Sequence, residues 1–424
     1  MAGILSGKRV ADFTEYIAGP YCTQILADLG AEVTKIEPPG GDHHRASMPV
    51  EGIEGRGFLQ VNRSKRSFVV DLKRAEGQAL VHRLIAEADV AVVAFRPHAL
   101  KRLRIDYATL SAINPRLVYG AITGFGSDGP YAHRGAFDMV AQAASGMLVH
   151  EGTFCHETLG VTSTSISDYS AAVFLTIGIL GALLDRERTG RGQMVETNLL
   201  DAGIAAQYRP LQSVERVDEA PRQEFVETLE ALRESEPDIV DLYKVRADHL
   251  GSTTRNIYWR AYATKDGFIA LACLNNVMRR KLRDILGVDD PAVDGPTYAG
   301  SSREETADLV SLVKPMFRQR TSAEWYDVLD QAGVPVGPVN APEQVFDDPQ
   351  VRHNGSILSV QHEKLGELRM PAHPVRYSES EVAPATAPPM LGANTRETLE
   401  ALGYDEASIR RLAAEGVVYV PDVD

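Results

Sequence analysis

Apolar and polar positions alternate along the first half of the chain as expected for strands and helices that follow each other in turn. The short apolar runs predict buried strands at residues 9–13, 32–36, 67–72, 90–95 and 117–123. Amphipathic stretches between them predict helices at 20–29 and 76–88. This alternation is typical of a parallel sheet covered by helices, so the predicted fold class is α/β.

A long apolar helix is predicted at residues 169–188, where the sequence Thr-Gly-Arg-Gly at 189–192 ends it. Its most apolar part, 171–184, is too short to cross a bilayer and has charged residues on both sides. We therefore expect a buried helix. A further strand is predicted at 194–198, and the first α/β unit ends near residue 203.

A second, smaller unit is indicated by a change in composition. Residues 214–241 are strongly acidic, which predicts an exposed helix or a linker. Asp266 and Gly267 lie between two apolar runs, which is a hairpin signal. Helical patterns then continue to about residue 332, and the tail mixes strands with a proline-rich loop at 383–389.

Composition and charge narrow the class of protein. With 424 residues, 44% of them hydrophobic and 24% charged, the chain is expected to form two or three globular units. A net charge of -14 argues against nucleic acid or an anionic membrane surface as the main partner. The three cysteines form no C-x-x-C pair and the start shows no secretory signal, so we expect a cytoplasmic protein without a disulfide framework.

Basic residues cluster between positions 62 and 104, where ten Lys or Arg stand against four acids. Arg96 directly follows the strand at 90–95, at the carboxyl end where open α/β sheets bind ligands. The cluster predicts either a phosphate site or a solvated basic face, and charge alone leaves both open.

Two common cofactor sites are not supported by the sequence. A strand, a helix and a strand ending in Glu37 resemble a dinucleotide-binding unit, but residues 14–20 read T-E-Y-I-A-G-P and not G-x-G-x-x-G. This argues against NAD. His43 and His44 are adjacent and therefore point apart, and no H-x-x-x-H pattern follows, so no metal site is predicted.

Asp168 stands just before the long apolar helix and permits two interpretations. Ser165 and Asp168 have the S-x-x-D spacing of a capping box, which would give the carboxylate a structural role. The same position suits a nucleophile, because the positive helix end would keep the carboxylate ionised away from water. Asp138, which follows Phe137 at the start of another predicted helix, has the same ambiguity.

Several strings of residues together resemble a known family. They include L-S-G-K-R-V-A-D-F, A-G-P-Y-C-T-Q, V-N-R-S-K-R-S-F, R-T-G-R-G-Q-M-V, G-V-P-V-G-P-V and P-P-M-L-G-A-N-T, in this order from residue 5 to about 418. The chain resembles the family III CoA-transferases, a group that also contains formyl-CoA transferase and 2-methylacyl-CoA racemase. The resemblance covers almost the whole chain.

The resemblance implies a domain arrangement that periodicity does not give. It implies a Rossmann-like large α/β domain built from both chain ends, a smaller inserted α+β domain, and an interlocked homodimer. The expected boundaries are 1–203 for the first part of the large domain, 204–245 for a linker and 246–332 for the small domain. Residues 333–424 would then return to the large domain.

The resemblance also implies a mechanism in which CoA moves from an acyl-CoA donor to a carboxylic acid. Asp168 matches the family's nucleophile, which forms a mixed anhydride and then an aspartyl-CoA thioester. Ile17 and Ala18 would line the thioester end, with the Ala18 N–H directed at the oxyanion. The residues implied to bind the rest of CoA are Val61, Asn62, Lys65 and Arg66 for adenine and ribose phosphate, and Arg96 and Arg102 for the diphosphate. Gly251 matches a lid glycine.

Departures from the family pattern favour transfer over racemisation. Racemases of this family carry a G-H-D triplet whose histidine moves a proton, whereas here the triplet is Ala136, Phe137 and Asp138. We keep Asp138 as a further catalytic candidate. Formyl-CoA transferase has glutamine at the position of Ile17, so a more apolar pocket and a larger acyl group are expected. The alternatives are a 2-methylacyl-CoA racemase and a CoA-binding protein without catalysis.

Overall fold

The computed structural model describes residues 3–151, 153–155, 158–160, 164–208, 210–249, 256–296 and 303–421. The chain forms two compact units. The large unit contains Met1–Arg216 and Gly355–Asp424, and the small unit contains Val217–Asn354.

The strands of the described residues fall into one large sheet and several small ones. They are β1 (Arg9–Asp12), β2 (Glu32–Glu37), β3 (Pro49–Val50), β4 (Glu54–Gly55), β5 (Lys65–Val69), β6 (Val90–Val93), β7 (Val118–Thr123), β8 (Thr153–Cys155), β9 (Thr158–Gly160), β10 (Met194–Asn198), β11 (Trp259–Ala263), β12 (Phe268–Ala272), β13 (Val336–Pro338), β14 (Ile357–His362) and β15 (Gly366–Pro371).

The α-helices connect these strands or cover the sheets. They are α1 (Ala18–Asp28), α2 (Arg56–Val61), α3 (Ala75–Ala86), α4 (Pro97–Leu103), α5 (Tyr107–Ile113), α6 (Asp138–Ala144), α7 (Met147–Glu151), α8 (Ile166–Thr189), α9 (Leu199–Ala205), α10 (Glu215–Glu234), α11 (Ile239–His249), α12 (Asn276–Leu286), α13 (Arg303–Phe317), α14 (Ser322–Gln331), α15 (Pro342–Val345), α16 (Pro349–Asn354), α17 (Thr395–Ala401) and α18 (Glu406–Ala414).

The central sheet of the large unit has six strands in the order β10-β7-β6-β1-β2-β5, and all its pairings are parallel. The predicted parallel α/β sheet is therefore confirmed. From its first strand the chain adds β2 and β5 on one side and β6, β7 and β10 on the other, which is the Rossmann order. The order in which strands are added reverses between β1 and β6, and a crevice is expected at the carboxyl ends of these two strands.

Both faces of the sheet are covered, which explains why β6 consists of Val-Ala-Val-Val with every residue buried. On one face α1 and α8 pack through residues such as Leu26 and Leu175. On the other face α3 and α5 pack together with the C-terminal helices, where Leu399 and Leu412 join the same core.

Helix α8 is longer than predicted and is buried on one side. Ala171, Leu175 and Ile179 lie in the core, whereas the side chains of Phe174 and Ile177 lie on the surface of the single chain. Its end is as predicted, since Gly190 closes it with a φ of 71°. Among the described residues, α8 alone is long and apolar enough to span a membrane, a property that core helices share. The expectation of a buried helix therefore holds for one face.

The small unit is built around a three-stranded antiparallel sheet, β11-β12-β13. The hairpin predicted at Asp266 and Gly267 joins β11 to β12 and is confirmed. Tyr258, Phe317 and Leu329 form part of its core. The acidic segment predicted as an exposed helix or a linker contains α10, which has no buried residue.

Candidate active site

A cleft opens at the carboxyl edge of the central sheet, where the direction of strand addition changes. Segments that follow β1 and β6 form its two sides, at residues 15–19 and 94–97. The loop at 132–137 and the side chain of Asp168 complete it. Its volume of about 250 Å³ is below the roughly 300–1,000 Å³ of small-molecule pockets. The cleft can therefore enclose only part of a ligand as large as CoA.

The turn between β1 and α1 is strained and presents a helix N-terminus to the cleft. Tyr16 has a φ of 66°, in the left-handed region that non-glycine residues rarely adopt. A Cβ atom at Gly19 would lie 2.3 Å from Cβ of Thr14, so the turn has no room for a side chain there. Ala18 begins α1 and lines the cleft. Its N–H belongs to the first turn, whose donors lack intrahelical acceptors.

Hydrogen bonds with three other residues hold this turn in its conformation. The Tyr16 N–H donates to Asp42 Oδ1 at 3.3 Å, and Tyr16 O accepts from His44 Nδ1 at 3.0 Å. Because a carbonyl oxygen only accepts, Nδ1 of His44 carries the proton. Lys35 Nζ donates to Thr14 O at 2.7 Å and forms an ion pair with Asp42 at 2.9 Å.

Beneath the turn lies a second buried ion pair, between Asp12 at the end of β1 and Lys65. Lys65 Nζ is 3.0 Å from Asp12 Oδ2, and neither side chain is exposed. Burial alone would raise the pKa of Asp12, but the ammonium groups of Lys65 and Lys35 hold it well below its usual range. Two ammonium groups thus face two carboxylates in a buried network that fixes the position of the turn.

Asp168 lies in the first turn of α8, partly buried at the cleft wall. Burial, with a smaller effect of the Asp138 carboxylate, raises its pKa to about 7. The carboxyl group therefore keeps its proton to a higher pH than a free aspartate, which its place at a helix end alone did not predict. Removal from water and a nearby like charge outweigh the favourable end of the helix.

The capping box predicted from Ser165 and Asp168 is not formed. The backbone of Ser165 is in the left-handed region, with a φ of 47°, and its side chain makes no capping hydrogen bond. Instead Asp138 Oδ1 accepts from the Ser167 N–H at 2.9 Å and from the Asp168 N–H at 3.3 Å. Its Oδ2 accepts from Gln142 Nε2 at 2.6 Å. Asp138, a predicted catalytic residue, thus caps α8 from another helix with both oxygens engaged.

Four of the predicted site residues come together in the cleft: Ile17, Ala18, Arg96 and Asp168. Arg96 packs closely against Gly135 of the opposite loop. A Cβ atom at Gly135 would lie only 2.5 Å from Nη2 of Arg96, so the contact leaves no room for a side chain at this position. Val61 does not line the cleft but an adjoining cavity.

The other predicted CoA-binding residues lie elsewhere. The side chains of Asn62 and Lys65 are buried and bonded to each other, Nζ to Oδ1, at 2.8 Å. A direct contact of either with a phosphate would break the buried network. Arg66 lies at the amino end of β5 and pairs with Glu397 at 2.8 Å. Arg102, near the end of α4, is absent from the described cleft lining. Gly251 lies outside the described residues.

Sequence reasoning missed two charged residues of the cleft wall, Glu15 and Arg134. Glu15 Oε2 is 2.8 Å from His43 Nδ1. The Arg134 guanidinium lies over the ring of Tyr131, 4.0 Å from its centroid. The glycine-proline loop around Arg134 was the available signal, because such loops often approach ligands. Among the described residues, no cluster of His, Cys, Asp and Glu is arranged to hold a metal ion.

Comparison with known proteins gives a consistent assignment. The family model "CoA-transferase family III" matches residues 5–395. A succinyl-CoA:glutarate CoA-transferase of Mus musculus is 32% identical over 98% of this chain and 90% of its own length. An acetyl-CoA:oxalate CoA-transferase of Acetobacter aceti is 32% identical over 89% of this chain and 90% of its own. A crystal structure of a CAIB/BAIF family protein from Brucella suis, 28% identical, aligns with a TM-score of 0.73 and covers 95% of this chain and 100% of that one.

Proposed function

The chain belongs to the family III CoA-transferases, and we propose that it moves CoA from an acyl-CoA to a carboxylic acid through covalent intermediates on Asp168. The observation that carries the proposal is the position of this carboxylate. It lines the same cleft as the first residue of α1, Ala18, whose N–H is available to an oxyanion.

The proposed reaction consists of successive acyl transfers on the Asp168 carboxylate. A carboxylate oxygen of Asp168 attacks the thioester carbonyl of the donor, the C–S bond breaks, and CoA leaves as a thiolate. The thiolate then attacks the aspartyl carbonyl of the anhydride, releasing the donor acid as a carboxylate and leaving an aspartyl-CoA thioester. The acceptor carboxylate runs both steps in reverse and restores Asp168. No net proton is taken up or released.

The electrostatics of Asp168 favour these intermediates. In the resting enzyme the ionised carboxylate has lost part of its hydration and faces Asp138. Both the anhydride and the thioester are neutral at this position, so acylation removes an unfavourable charge. Burial therefore destabilises the resting carboxylate relative to its acylated forms.

The cationic side chains of the cleft support binding of CoA. Arg96 and Arg134 lie on its wall and are suited to the diphosphate, because guanidinium groups bind phosphate oxygens in pairs. Arg102 stays a predicted ligand. The relatives named for glutarate and oxalate support a carboxylic acid as acceptor.

We also propose a homodimer, located in the cytoplasm. The exposed side of α8 carries Val173, Phe174, Ile177 and Leu184, the last with 76% of its surface exposed. Such an apolar ridge on a long core helix suits burial against a second copy. Light scattering at micromolar concentration should give twice the chain mass, and a monomer would contradict this part.

Racemisation is less well supported by the site. Phe137 has no transferable proton and packs edge-on against Tyr16, with ring centroids 5.1 Å apart. Both oxygens of Asp138 are engaged as described above. A racemase would exchange the substrate α-hydrogen with deuterium without an acceptor acid, and we expect no such exchange.

The test is formation of a new acyl-CoA from succinyl-CoA and a panel of carboxylic acids, followed by mass spectrometry. Asp168→Asn should lower the rate at least about 10⁴-fold, because the nucleophile is lost. Asp185→Asn is the matched control, since Asp185 lies on the same helix and, within the described residues, its carboxylate pairs with the exposed Arg188. Equal activity of both variants would contradict the proposal.

A further inference from the structure

A second cavity of about 680 Å³ adjoins the first turn of α8. Ser165, Ile166 and Tyr169 line it, on either side of Asp168 in the sequence. Ile17 lines both this cavity and the cleft with Asp168. The second cavity therefore begins where an acyl group attached to Asp168 would be held.

The lining of the second cavity combines apolar walls with one permanent charge. Its apolar residues include Ile17, Met48, Val61 and Ile166. No aspartate or glutamate is among its described lining residues, and Arg56 is their one arginine or lysine. His44 also lines it, but its Nδ1 is bound to Tyr16 O. A ligand in this cavity would meet apolar side chains, the hydroxyl and amide groups of its neutral polar residues, and one guanidinium group.

Arg56 differs from Arg45 and Arg63 in its side-chain partners among the described residues. Arg45 is paired with Glu37 at 2.7 Å, and Arg63 with Asp28 at 2.6 Å. Arg56 begins α2, is exposed, and forms no ion pair within the part of the chain that the structure describes. Its backbone N–H donates to Met48 O at 3.2 Å, which fixes the residue at the cavity wall.

We propose that Arg56 binds the far carboxylate of a dicarboxylic acyl group, so that the enzyme prefers dicarboxylic over monocarboxylic acids of equal length. This inference rests on the proposed function, and it adds the class of acid and the residue that selects it. One carboxyl group would react at Asp168 while the methylene chain passes Ile17 into the second cavity. The guanidinium of Arg56 would bind the second carboxylate through paired hydrogen bonds.

The test compares succinyl-CoA with butyryl-CoA, which have acyl chains of the same length and differ in the terminal carboxylate. Binding is measured by calorimetry in the Asp168→Asn protein, which cannot be acylated. We expect succinyl-CoA to bind at least about fivefold more tightly, an effect typical of a partly exposed charge-assisted pair. Adding Arg56→Gln should bring the ratio close to one through weaker succinyl-CoA binding, with butyryl-CoA binding unchanged.

Two further variants make the result specific. Arg56→Lys should restore part of the preference, because the charge remains but the paired geometry is lost. Arg188→Gln should leave the ratio unchanged, since Arg188 is exposed in the last turn of α8, about 30 Å from Asp168 at 1.5 Å per residue.

A preference that survives Arg56→Gln, or the absence of any preference before that change, would overturn the role of Arg56. Such a result would leave CoA transfer intact. Conversely, an enzyme that binds succinyl-CoA through Arg56 but never transfers CoA would overturn the proposed function and not this inference. Binding and turnover thus separate the two.

Discussion

Two groups of carboxylates lie within the same large unit and have opposite electrostatic surroundings. Asp12 and Asp42 are buried beside Lys65 and Lys35, and these cations hold the pKa of both carboxyl groups below the usual range despite burial. Asp168 is removed from water next to another carboxylate, and its pKa is raised. The ionised form of an aspartate is thus stabilised at Asp12 and Asp42 and destabilised at Asp168.

The two groups of carboxylates have different roles: the paired ones are structural, and the unpaired one is chemical. A carboxylate paired with a lysine is a poor nucleophile, because attack would leave the lysine unpaired in the interior. Asp168 has the opposite property, since acylation relieves an unpaired charge. The paired group fixes the turn that carries Ala18, and the unpaired group is available to react. Changes to each group should therefore have different consequences.

The largest effect is expected from breaking the paired network. Lys35→Met should destabilise the protein by about 3–5 kcal/mol, because Asp42 and the carbonyl of Thr14 would remain buried without their partner. Urea unfolding measures this change. The matched control is Lys73→Met at an exposed lysine, which should cost less than about 0.5 kcal/mol. Similar unfolding midpoints for both variants would show that the network carries no stability.

Replacement of Asp168 is expected to change the folding stability in the opposite direction and to stabilise the protein. The folded pKa of about 7 exceeds the 3.8 of an unperturbed aspartate. The free-energy cost of ionising Asp168 in the folded protein therefore grows from about pH 4 to pH 7 and stays constant above pH 7. Asp168→Asn removes that cost, so at pH 8 it should be more stable than the unmodified protein by about 1–3 kcal/mol after solvent screening. The difference should shrink towards pH 4. A destabilised variant at pH 8 would contradict the unpaired charge.

The smallest effect concerns the charge of Asp138. Since a neighbouring carboxylate helps to raise the pKa of Asp168, Asp138→Asn should move the acid limb of kcat/KM from about pH 7 to lower pH. The asparagine oxygen can still accept from the Ser167 N–H, so the cap of α8 is kept. Asp138→Ala should show the same shift but also lose about 1 kcal/mol of stability with the cap. An acid limb unchanged in both variants would remove Asp138 from the account.

The sequence predicted what depends on local pattern. The parallel sheet, the end of α8 at Gly190 and the hairpin at Asp266 all follow from periodicity and turn residues. It did not predict the cap of α8, because Asp138 is 30 residues from the Asp168 N–H to which it bonds. Nor did it predict that Lys65 is buried, since that depends on the register of β5 beside β2 and of β2 beside β1. Contacts between elements distant in sequence decide these features.

The most direct test of the account is chemical trapping of the acylated carboxylate. The protein is incubated with succinyl-CoA, treated with hydroxylamine and analysed by peptide mass spectrometry. We expect a hydroxamate on Asp168, none on Asp138, and no such product without an acyl-CoA. An unmodified Asp168 in protein that is actively transferring CoA would contradict the proposed covalent mechanism.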